Sequence, residues 1–441
     1  IKFAHPIYTM TYNETLNYLY NSLPVFHFQG ASAYKPGLDN TIALMEACRH
    51  PYKNYKTIHV AGTNGKGSVS HFLAAILQSA GYKVGLYTSP HLVNFGERIK
   101  VDGQMIDETY VINFVQSNSA LFERIQPSFF EATMAMAFQY FSDNQVDIAI
   151  VEVGLGGRLD STNIITPMLS VITNISFDHV EFLGDTIEKI ATEKAGIIKQ
   201  FVPVVIGESL PESKSVFENT ASIKKSNIQF ADTEIVVEWL ATANFKWEVQ
   251  TNQYKKYTVG LTGSYQLKNI ATVLKAVQVL QQIGLCINEQ SIKQGLENVC
   301  EITGFWGRWQ CFGTQPQLYV DTAHNMAGIN ELVEYLKLQK FKNLHLVFGM
   351  VNDKDISQIL LILPKHAEYY FTQASIKRAL PAKILHSNAT KVGLKGDFFE
   401  NVHDAVRKAI QNASPEDFIL VFGSNFVVGE AIQTIKRTIK K

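Results

Sequence analysis

The stretch AGTNGKGS at residues 61–68 decides how this chain folds, because a strand pattern precedes it and a helix pattern follows it. Residues 57–60 form a short apolar run, and Gly81 stands where the helix is expected to end. The glycines allow backbone N–H groups to approach phosphates, and the helix N-terminus adds partial positive charge. Strand, loop and helix therefore predict a polyphosphate cradle. The apolar positions at helical spacing are Val69, Phe72, Leu73, Ile76 and Leu77.

Two side chains of this loop carry further chemistry. Lys66 supplies a point charge for phosphates, and the Ser68 hydroxyl is a ligand type that suits Mg²⁺. The spacing departs from G-x-x-x-x-G-K-[ST], because two residues separate Gly62 from Gly65 and Gly67 separates Lys66 from Ser68. Neither D-x-x-G nor N-K-x-D follows downstream, which argues against a switch GTPase. A plain glycine-rich turn is the alternative interpretation.

The composition indicates a folded protein of more than one domain. The chain has 441 residues, 46% hydrophobic and 18% charged, which is too long for one core. Its 40 basic and 40 acidic residues balance, so no global field attracts nucleic acid or an anionic membrane. The four cysteines have no metal-ligand spacing, which favours free thiols. Without a membrane-length apolar run or a signal-peptide pattern, we expect a cytoplasmic protein that acts as a monomer.

Short apolar runs alternate with amphipathic stretches, a pattern typical of an α/β fold in which helices cover a parallel sheet. Between residues 229 and 261 the pattern changes to short antiparallel strands, which predict a small sheet at the edge. A helix is expected from Tyr265 to about Ile283, and residues 304–313 are rich in glycine and aromatics, as in a linker. The predicted strands lie at residues 84–88, 147–153, 169–174, 203–206, 318–321, 344–349, 369–372 and 419–423.

Polar residues follow three strands of the first part. Ser89 follows strand 84–88, Glu152 lies near the end of strand 147–153, and His179 comes shortly after strand 169–174. Ligands bind beyond the carboxyl ends of strands in open parallel sheets, so these side chains form a candidate Mg²⁺ site beside the phosphate loop. Each has a structural alternative: Ser89 as a turn residue, Glu152 as a paired core carboxylate, His179 as a satisfied loop histidine. Burial of Glu152 in an apolar strand is costly without a cation, which favours the site.

The second part repeats this arrangement. Its first strand ends at DTAHN, residues 321–325, and Arg308 precedes it in the linker. An arginine, an aspartate and a histidine that face the phosphate loop suit a site closed between two lobes. Arg308 as a surface ion-pair partner is the alternative.

The motifs as a set resemble the folylpolyglutamate synthase / dihydrofolate synthase family of the Mur ligase superfamily. The segments that carry the resemblance are AGTNGKGS, TSPHL, NFGERI, EVGLGGRLDSTN, DHVEFLGDTIEKIATEKAGIIK, DTAHN, VFGMVNDKD and FGSNFVVGE, which span nearly the whole chain. The resemblance implies a phosphate-loop ATPase domain at 1–303, a linker at 304–312 and a smaller Rossmann-like domain at 313–441. The active site would lie between the two domains.

The resemblance also implies roles for individual residues. Lys194, otherwise an ordinary helix lysine, matches a lysine that CO₂ carbamylates near the metal. Arg308, Asp321 and Asn269 match nucleotide contacts, while His324 and Ser424 match positions near the incoming glutamate. Phe130 and Asp160 fall on segments that hold the pterin in bifunctional members. The phosphate-loop matches are Thr63, Asn64, Gly65, Lys66, Gly67 and Ser68, and the metal matches are Ser89, Glu152 and His179.

Three positions depart from the family pattern. Phe305-Trp306 replaces the Trp-Pro of the linker, Thr322 replaces the glycine of D-G-A-H-N, and Ser176 replaces a glycine of N-I-G-x-D-H. None removes a group that performs chemistry. The changes at Phe305-Trp306 and at Thr322 affect linker stiffness and backbone conformation, so we expect domain closure to differ in detail.

The resemblance implies an ATP-dependent ligase that uses Mg²⁺, with two ions expected, and joins a pteroate or folate carboxylate to L-glutamate. An acyl phosphate would form first and the glutamate amine would then attack it. Addition of the first glutamate, of further glutamates or of both stays open, although Asp160 favours both. The alternatives are a Mur-type ligase acting on a UDP-muramyl substrate and an ATP-gated binding protein without ligase activity.

Overall fold

The computed structural model describes residues 10–24, 37–352 and 356–439, and three β-sheets organise them. We call the two sheets before residue 304, with their helices, the first lobe, and the six-stranded sheet after it, with its helices, the second lobe. The last three residues of the VFGMVNDKD segment, 353–355, lie outside the described residues. The expected α/β class is confirmed.

The first lobe contains an eight-stranded sheet in the order β4-β3-β2-β5-β1-β6-β7-β8. Its strands are β1 (Lys56–Ala61), β2 (Val84–Tyr87), β3 (Ile99–Val101), β4 (Gln104–Met105), β5 (Ile148–Glu152), β6 (Leu169–Ile172), β7 (Val204–Ile206) and β8 (Ile228–Phe230). The central strand β1 pairs in parallel with β5 and β6. Because the carboxyl ends of these three strands share one edge, the loops that follow them meet at the middle of that edge.

Helices cover both faces of this sheet. The helix that follows the phosphate loop is buried from Ser68 to Leu77 and packs between the sheet and three later helices. Its burial explains why apolar side chains occupy more than one of its faces. The helices are α1 (Tyr12–Ser22), α2 (Asp39–Ala47), α3 (Lys66–Ser79), α4 (Glu108–Ile125), α5 (Phe129–Asp143), α6 (Val180–Leu183), α7 (Ile187–Ala195), α8 (Pro211–Lys224), α9 (Ala231–Glu234), α10 (Gln266–Gln282), α11 (Glu289–Glu297) and α12 (Val299–Thr303).

The antiparallel strands expected between residues 229 and 261 form a separate three-stranded sheet: β9 (Val237–Ala243), β10 (Lys246–Thr251) and β11 (Lys256–Val259). The buried side chains Trp247 and Val249 join the same apolar core as α3 and α10. The region therefore packs beside the phosphate-loop helix. Ile228–Phe230 is instead the last parallel strand of the large sheet.

The second lobe has six strands in the order β12-β13-β17-β14-β15-β16, all parallel except β12. They are β12 (Gln310–Thr314), β13 (Gln317–Val320), β14 (Leu344–Phe348), β15 (Glu368–Thr372), β16 (Lys395–Phe399) and β17 (Phe418–Phe422). Apolar cores lie on both faces. The helices are α13 (Met326–Leu336), α14 (Ser357–Ile362), α15 (Ala382–Lys391), α16 (Val402–Asn412) and α17 (Asn425–Ile439).

Some elements differ from the sequence expectation. Residues 310–312, assigned to the linker, begin strand β12, whose glycine-containing sequence lacks the alternation that identifies a strand. Strands β3, β4 and β16 were also not expected, because the first two are very short and the third mixes polar and apolar residues. The division at 1–303, 304–312 and 313–441 otherwise stays a prediction.

Candidate active site

The phosphate loop has a backbone that requires glycine at two positions. Gly62 has a φ of 147° and Gly65 a φ of 84°, both in a region that L side chains rarely adopt. A Cβ at Gly62 would lie 1.8 Å from Thr173 Oγ1, and one at Gly65 would lie 2.3 Å from Asn269 Oδ1. Close packing therefore fixes both glycines, and it brings Asn269 directly against the loop.

Residues that follow strand β6 hold this loop in place. Thr63 Oγ1 donates to the Ser176 carbonyl and accepts from the Ser176 N–H, each at 3.1 Å. Asn64 N–H donates to Asn174 Oδ1 at 2.9 Å, and Thr173 Oγ1 donates to the Asn64 carbonyl at 2.5 Å. Since Ser176 uses its backbone in these bonds, its replacement of a family glycine leaves the loop support intact.

Two lysines meet at one carbonyl of the loop. Lys66 Nζ donates to Gly62 O at 3.0 Å and to Thr63 O at 3.1 Å, while Lys194 Nζ donates to Gly62 O at 2.9 Å. Lys194 is buried, and this burial together with the Lys66 charge lowers the pKa of Lys194 to about 7. Lys194 is therefore not the solvated helix lysine that its sequence context alone suggests. Its amine loses its proton near neutral pH.

Glu152 is a buried carboxylate at the end of β5. Its Oε2 accepts from the Ser89 N–H at 3.1 Å, and no ion pair of the described residues includes it. Burial raises its pKa, while the charges of Lys66 and Arg308 and the Ser89 N–H oppose that rise. A buried carboxylate with free acceptor capacity at the cavity wall fits a divalent cation.

Ser68 is connected to Asn269 through a glutamine. Gln266 Nε2 donates to Ser68 Oγ at 3.2 Å, and Gln266 Oε1 accepts from Asn269 Nδ2 at 2.8 Å. All three side chains are buried. The bond from Gln266 fixes the Ser68 hydroxyl, and α10 thereby orients a group at the start of α3.

His179 begins the short helix α6 in a left-handed conformation, with a φ of 50°. Its Nε2 lies 3.8 Å from Asp178 Oδ1, and its ring is partly exposed. Both residues line the cavity, as does Ser89, which follows β2. In the part of the chain that the structure describes, no cluster of three His, Cys, Asp or Glu side chains is suited to a metal ion. The predicted metal ligands include only one carboxylate and one imidazole, so a bound cation would also need hydroxyl and other oxygen ligands.

The second lobe brings Asp321 to the same cavity. Its Oδ2 accepts from Tyr265 Oη at 2.5 Å and from the Trp309 N–H at 2.8 Å, and its Oδ1 accepts from the Ala323 N–H at 2.8 Å. Burial raises the pKa of Asp321, and these donors and the Arg308 charge oppose that rise. Tyr265 belongs to the first lobe, so this bond joins the two lobes.

The DTAHN segment makes a second connection between lobes. Asn325 Nδ2 donates to Asn64 Oδ1 at 2.9 Å and to Asp178 Oδ2 at 3.0 Å, while Asn64 Nδ2 donates to Asn325 Oδ1 at 3.2 Å. Asn325 Oδ1 also accepts from the Gly328 N–H and so caps α13. His324 Nε2 lies 3.7 Å from Asp178 Oδ2, beside this pair. The amide pair ties the phosphate loop to the second lobe.

The predicted substrate residues Phe130, Asp160 and Ser424 also line the cavity. A Cβ at Gly154 would lie 2.6 Å from Phe130 Cζ and 3.2 Å from Asp160 Oδ2, so both side chains cover Gly154. The Asp160 carboxylate accepts from the N–H groups of Leu155 and Thr162, which makes it a loop-shaping residue as well as a wall residue. Ser424 caps α17 by accepting from the Val427 N–H at 3.2 Å.

All sequence-predicted site residues line one cavity of about 520 Å³ between the lobes. Sequence reasoning missed the side chains that join the lobes: Tyr265, Asn325 and Lys268. Only Asn325 had a signal, as an N-cap residue before an apolar helix. Lys268 Nζ lies 2.9 Å from Glu208 of the first lobe and 3.0 Å from Glu331 of the second.

Comparisons with known proteins match both lobes. The model of the Mur ligase middle domain matches residues 60–277, and that of the Mur ligase glutamate ligase domain matches residues 307–425. A dihydrofolate synthase/folylpolyglutamate synthase of Bacillus subtilis is 34% identical over 418 residues, which cover 91% of this chain and 95% of that protein.

Solved structures share the whole architecture. Escherichia coli FolC in complex with DHPP and ADP superposes with a TM-score of 0.84 at 31% identity, covering 99% of this chain and 100% of that one. A Yersinia pestis bifunctional folylpolyglutamate synthase/dihydrofolate synthase with AMPPNP and Mn ion gives a TM-score of 0.80 at 30% identity, covering 98% and 100%. None of the described helices has the length and apolar character needed to cross a membrane.

Proposed function

Because the chain belongs to the dihydrofolate synthase/folylpolyglutamate synthase family of Mur ligases, we propose that its interlobe cavity joins a pteroate or folate carboxylate to the amine of L-glutamate. The chain is an ATP-dependent, amide-forming ligase. The observation that carries the assignment is the cavity between the lobes. It places the phosphate loop, the buried Glu152 and the second-lobe loop around one space.

The reaction begins with transfer of the ATP γ-phosphoryl group to the substrate carboxylate. A carboxylate oxygen forms a bond to the γ-phosphorus, the bond to the ADP oxygen breaks, and an acyl phosphate results. The phosphate-loop N–H groups and the Lys66 ammonium bind the phosphates and balance the charge that develops on them. Lys66 reaches them by exchanging its bonds to the Gly62 and Thr63 carbonyls for phosphate oxygens.

The glutamate amine then attacks the acyl carbon, and phosphate leaves with the oxygen that came from the carboxylate. We assign His324 and Ser424 to the glutamate side of the cavity, because both line its second-lobe wall. We assign Asn269, Arg308 and Asp321 to the nucleotide, and Phe130 and Asp160 to the pterin side. Water must be excluded from an acyl phosphate, and we assign this task to closure of the two lobes over the cavity.

A divalent cation, when bound, neutralises phosphate charge and polarises the transferring group. We propose that Glu152, Ser68, Ser89 and His179 would hold such cations, with two ions in the loaded site. Support comes from the Mn ion in the Yersinia pestis relative and from the buried Glu152 carboxylate, which has no ion-pair partner among the described residues.

We also propose that CO₂ modifies Lys194. The ammonium first loses one proton, the neutral amine then attacks CO₂, an N–C bond forms and a second proton is released, so that a cation becomes an anionic oxygen ligand. The low pKa of this lysine supplies the neutral amine. The change would also remove the repulsion between Lys194 and Lys66 at the Gly62 carbonyl.

We propose that one chain adds both the first glutamate and later ones, as the names of the bifunctional relatives indicate. The test measures ADP release and product mass with dihydropteroate, tetrahydrofolate or a UDP-muramyl substrate, each with and without L-glutamate. We expect product from both pterins, and ADP release only when glutamate is present. Product from one pterin alone would reject bifunctionality, and product from the muramyl substrate would reject the folate assignment. A cytoplasmic location and a monomeric state stay predictions.

A further inference from the structure

The Arg308 guanidinium is held by neutral groups on two sides. Its Nη1 donates to the Thr322 hydroxyl oxygen and, at 3.1 Å, to the Gly307 carbonyl. Its central carbon lies 5.3 Å from the centre of the Phe305 ring. Among the residues that the structure describes, no carboxylate lies within ion-pair distance of this guanidinium. The guanidinium is therefore held in one orientation, and no ion pair neutralises its charge.

Phe305 connects Arg308 to the phosphate-loop helix. The Phe305 ring stacks on His71 of α3 with centroids 4.1 Å apart and an interplanar angle of 22°. His71 Nδ1 lies 2.8 Å from Thr303 Oγ1, so the ring at the base of the stack is itself fixed. Contacts of the Phe305 ring thus connect His71 of the helix to the arginine.

The outer edge of the guanidinium faces the phosphate loop. A Cβ at Gly67 would lie 3.5 Å from Phe305 Cζ and 3.8 Å from Arg308 Nη2. Nη1 is thus held by Thr322 and by the Gly307 carbonyl, while Nη2 lies next to the phosphate loop. Because Nη1 makes the protein hydrogen bonds, Nη2 is the nitrogen placed to donate to a bound anion.

Both partners of Arg308 are residues at which this chain departs from the family pattern. Phe305 stands for tryptophan, and Thr322 stands for glycine. A glycine has no hydroxyl and cannot accept the bond from Nη1. Thr322 is buried, and its N–H donates to the Gly307 carbonyl at 3.1 Å, so it braces the backbone beside the arginine as well.

We propose that Thr322 and Phe305 are positioning residues that hold Arg308 against the phosphate loop before ATP arrives. The inference rests on the proposed function in one respect: ATP is the ligand of that loop. A guanidinium that is already oriented loses less conformational freedom when phosphates bind it, so nucleotide affinity gains.

The test compares Thr322→Val, which has the same shape without the hydroxyl, with Thr322→Ser, which keeps it. Binding of AMPPNP is measured by titration calorimetry in both variants, in Arg308→Ala and in the double variant Thr322→Val/Arg308→Ala. We expect Thr322→Val to weaken binding about tenfold, because a hydrogen bond to a charged group is lost. Thr322→Ser should recover affinity to within about twofold, and Thr322→Val should add nothing once Arg308 is absent.

Normal AMPPNP affinity in Thr322→Val beside a defect in Arg308→Ala would overturn the inference and leave the ligase assignment intact. Additive losses in the double variant would also overturn it, because Thr322 would then act without Arg308. So would normal affinity in Arg308→Ala. Failure of the unmodified protein to join glutamate would instead contradict the proposed function. If Thr322→Val does not fold, Phe305→Leu enters the same scheme, with an expected loss of about threefold from the missing ring face.

Discussion

The phosphate loop, residues 61–68, and the second-lobe loop, Asp321–Asn325, both follow parallel strands, yet they are held in different ways. The phosphate loop is fixed by its own lobe, through hydrogen bonds to Thr173, Asn174 and Ser176. The second-lobe loop is held partly within its own lobe, by bonds such as that from the Asp321 N–H to the Val421 carbonyl. It also bonds to the first lobe, at Tyr265 and at Asp178.

This difference indicates a division of labour. The first lobe supplies most of the hydrogen bonds that hold the phosphate loop, whereas in the second-lobe loop the Asp321 carboxylate and the Asn325 amide bond to side chains of the first lobe. Since an acyl phosphate needs protection from water, coupling the second loop to closure restricts chemistry to the closed state. Removal of the Lys66 charge from the first loop should therefore abolish chemistry, and substitutions at the contacts between lobes should weaken it.

The largest effect is expected from Lys66→Ala, which removes the cation of the preformed loop. We expect kcat to fall by about a thousandfold or more, because the loop loses its own cation at the phosphates. Steady-state ADP release measures this, and Lys83→Ala, an exposed lysine of the same lobe, is the control. A fall of less than tenfold would show that the loop is not the reaction site.

A smaller effect is expected from Lys194→Met, with Lys189→Met on the same helix as the exposed control. We expect about a hundredfold loss of activity from the missing oxygen ligand. In the unmodified protein, removal of CO₂ should lower activity, and bicarbonate should restore it faster at pH 8 than at pH 6. The neutral amine is the reactive form, and its fraction grows as pH rises through the pKa of about 7. If activity did not change on removal of CO₂ at either pH, carbamylation of Lys194 would be excluded.

The amide pair between lobes is the next target. Asn325→Ser keeps an N-cap oxygen for α13 but is too short to reach Asn64. We expect kcat/KM to fall about tenfold with little change in melting temperature. Asn64→Ala in the Asn325→Ser background should cost little more, with a coupling energy of about 1 kcal/mol. Fully additive losses would mean that the pair does not couple loop and lobe.

The smallest effect is expected from Lys268→Met. Lys268 bridges Glu208 and Glu331 across the cavity rim, where all three side chains are about one-third to one-half exposed. An exposed ion pair contributes little, so we expect the KM for ATP to rise about twofold and to depend less on salt. A tenfold rise would place Lys268 in direct contact with the nucleotide instead.

The sequence predicts the phosphate loop well, but it does not predict the contacts that join the second-lobe loop to the first lobe. The phosphate loop, its strand and its helix have local signals, and residues after successive parallel strands were expected to converge. The bond between Tyr265 and Asp321 joins residues 56 positions apart, and no local pattern marks it. The low pKa of Lys194 likewise depends on burial that a polar helix sequence does not reveal. Sequence reasoning thus found the groups within each lobe and missed the contacts between lobes.

The most direct test of the central claim labels both carboxylate oxygens of the pteroate or folate substrate with ¹⁸O. If the carboxylate is activated as an acyl phosphate, one labelled oxygen leaves with phosphate for each amide bond formed. Mass spectrometry of the released phosphate measures this transfer. We predict one ¹⁸O per phosphate in the presence of ATP and L-glutamate. Unlabelled phosphate from a reaction that still forms the amide would contradict the account.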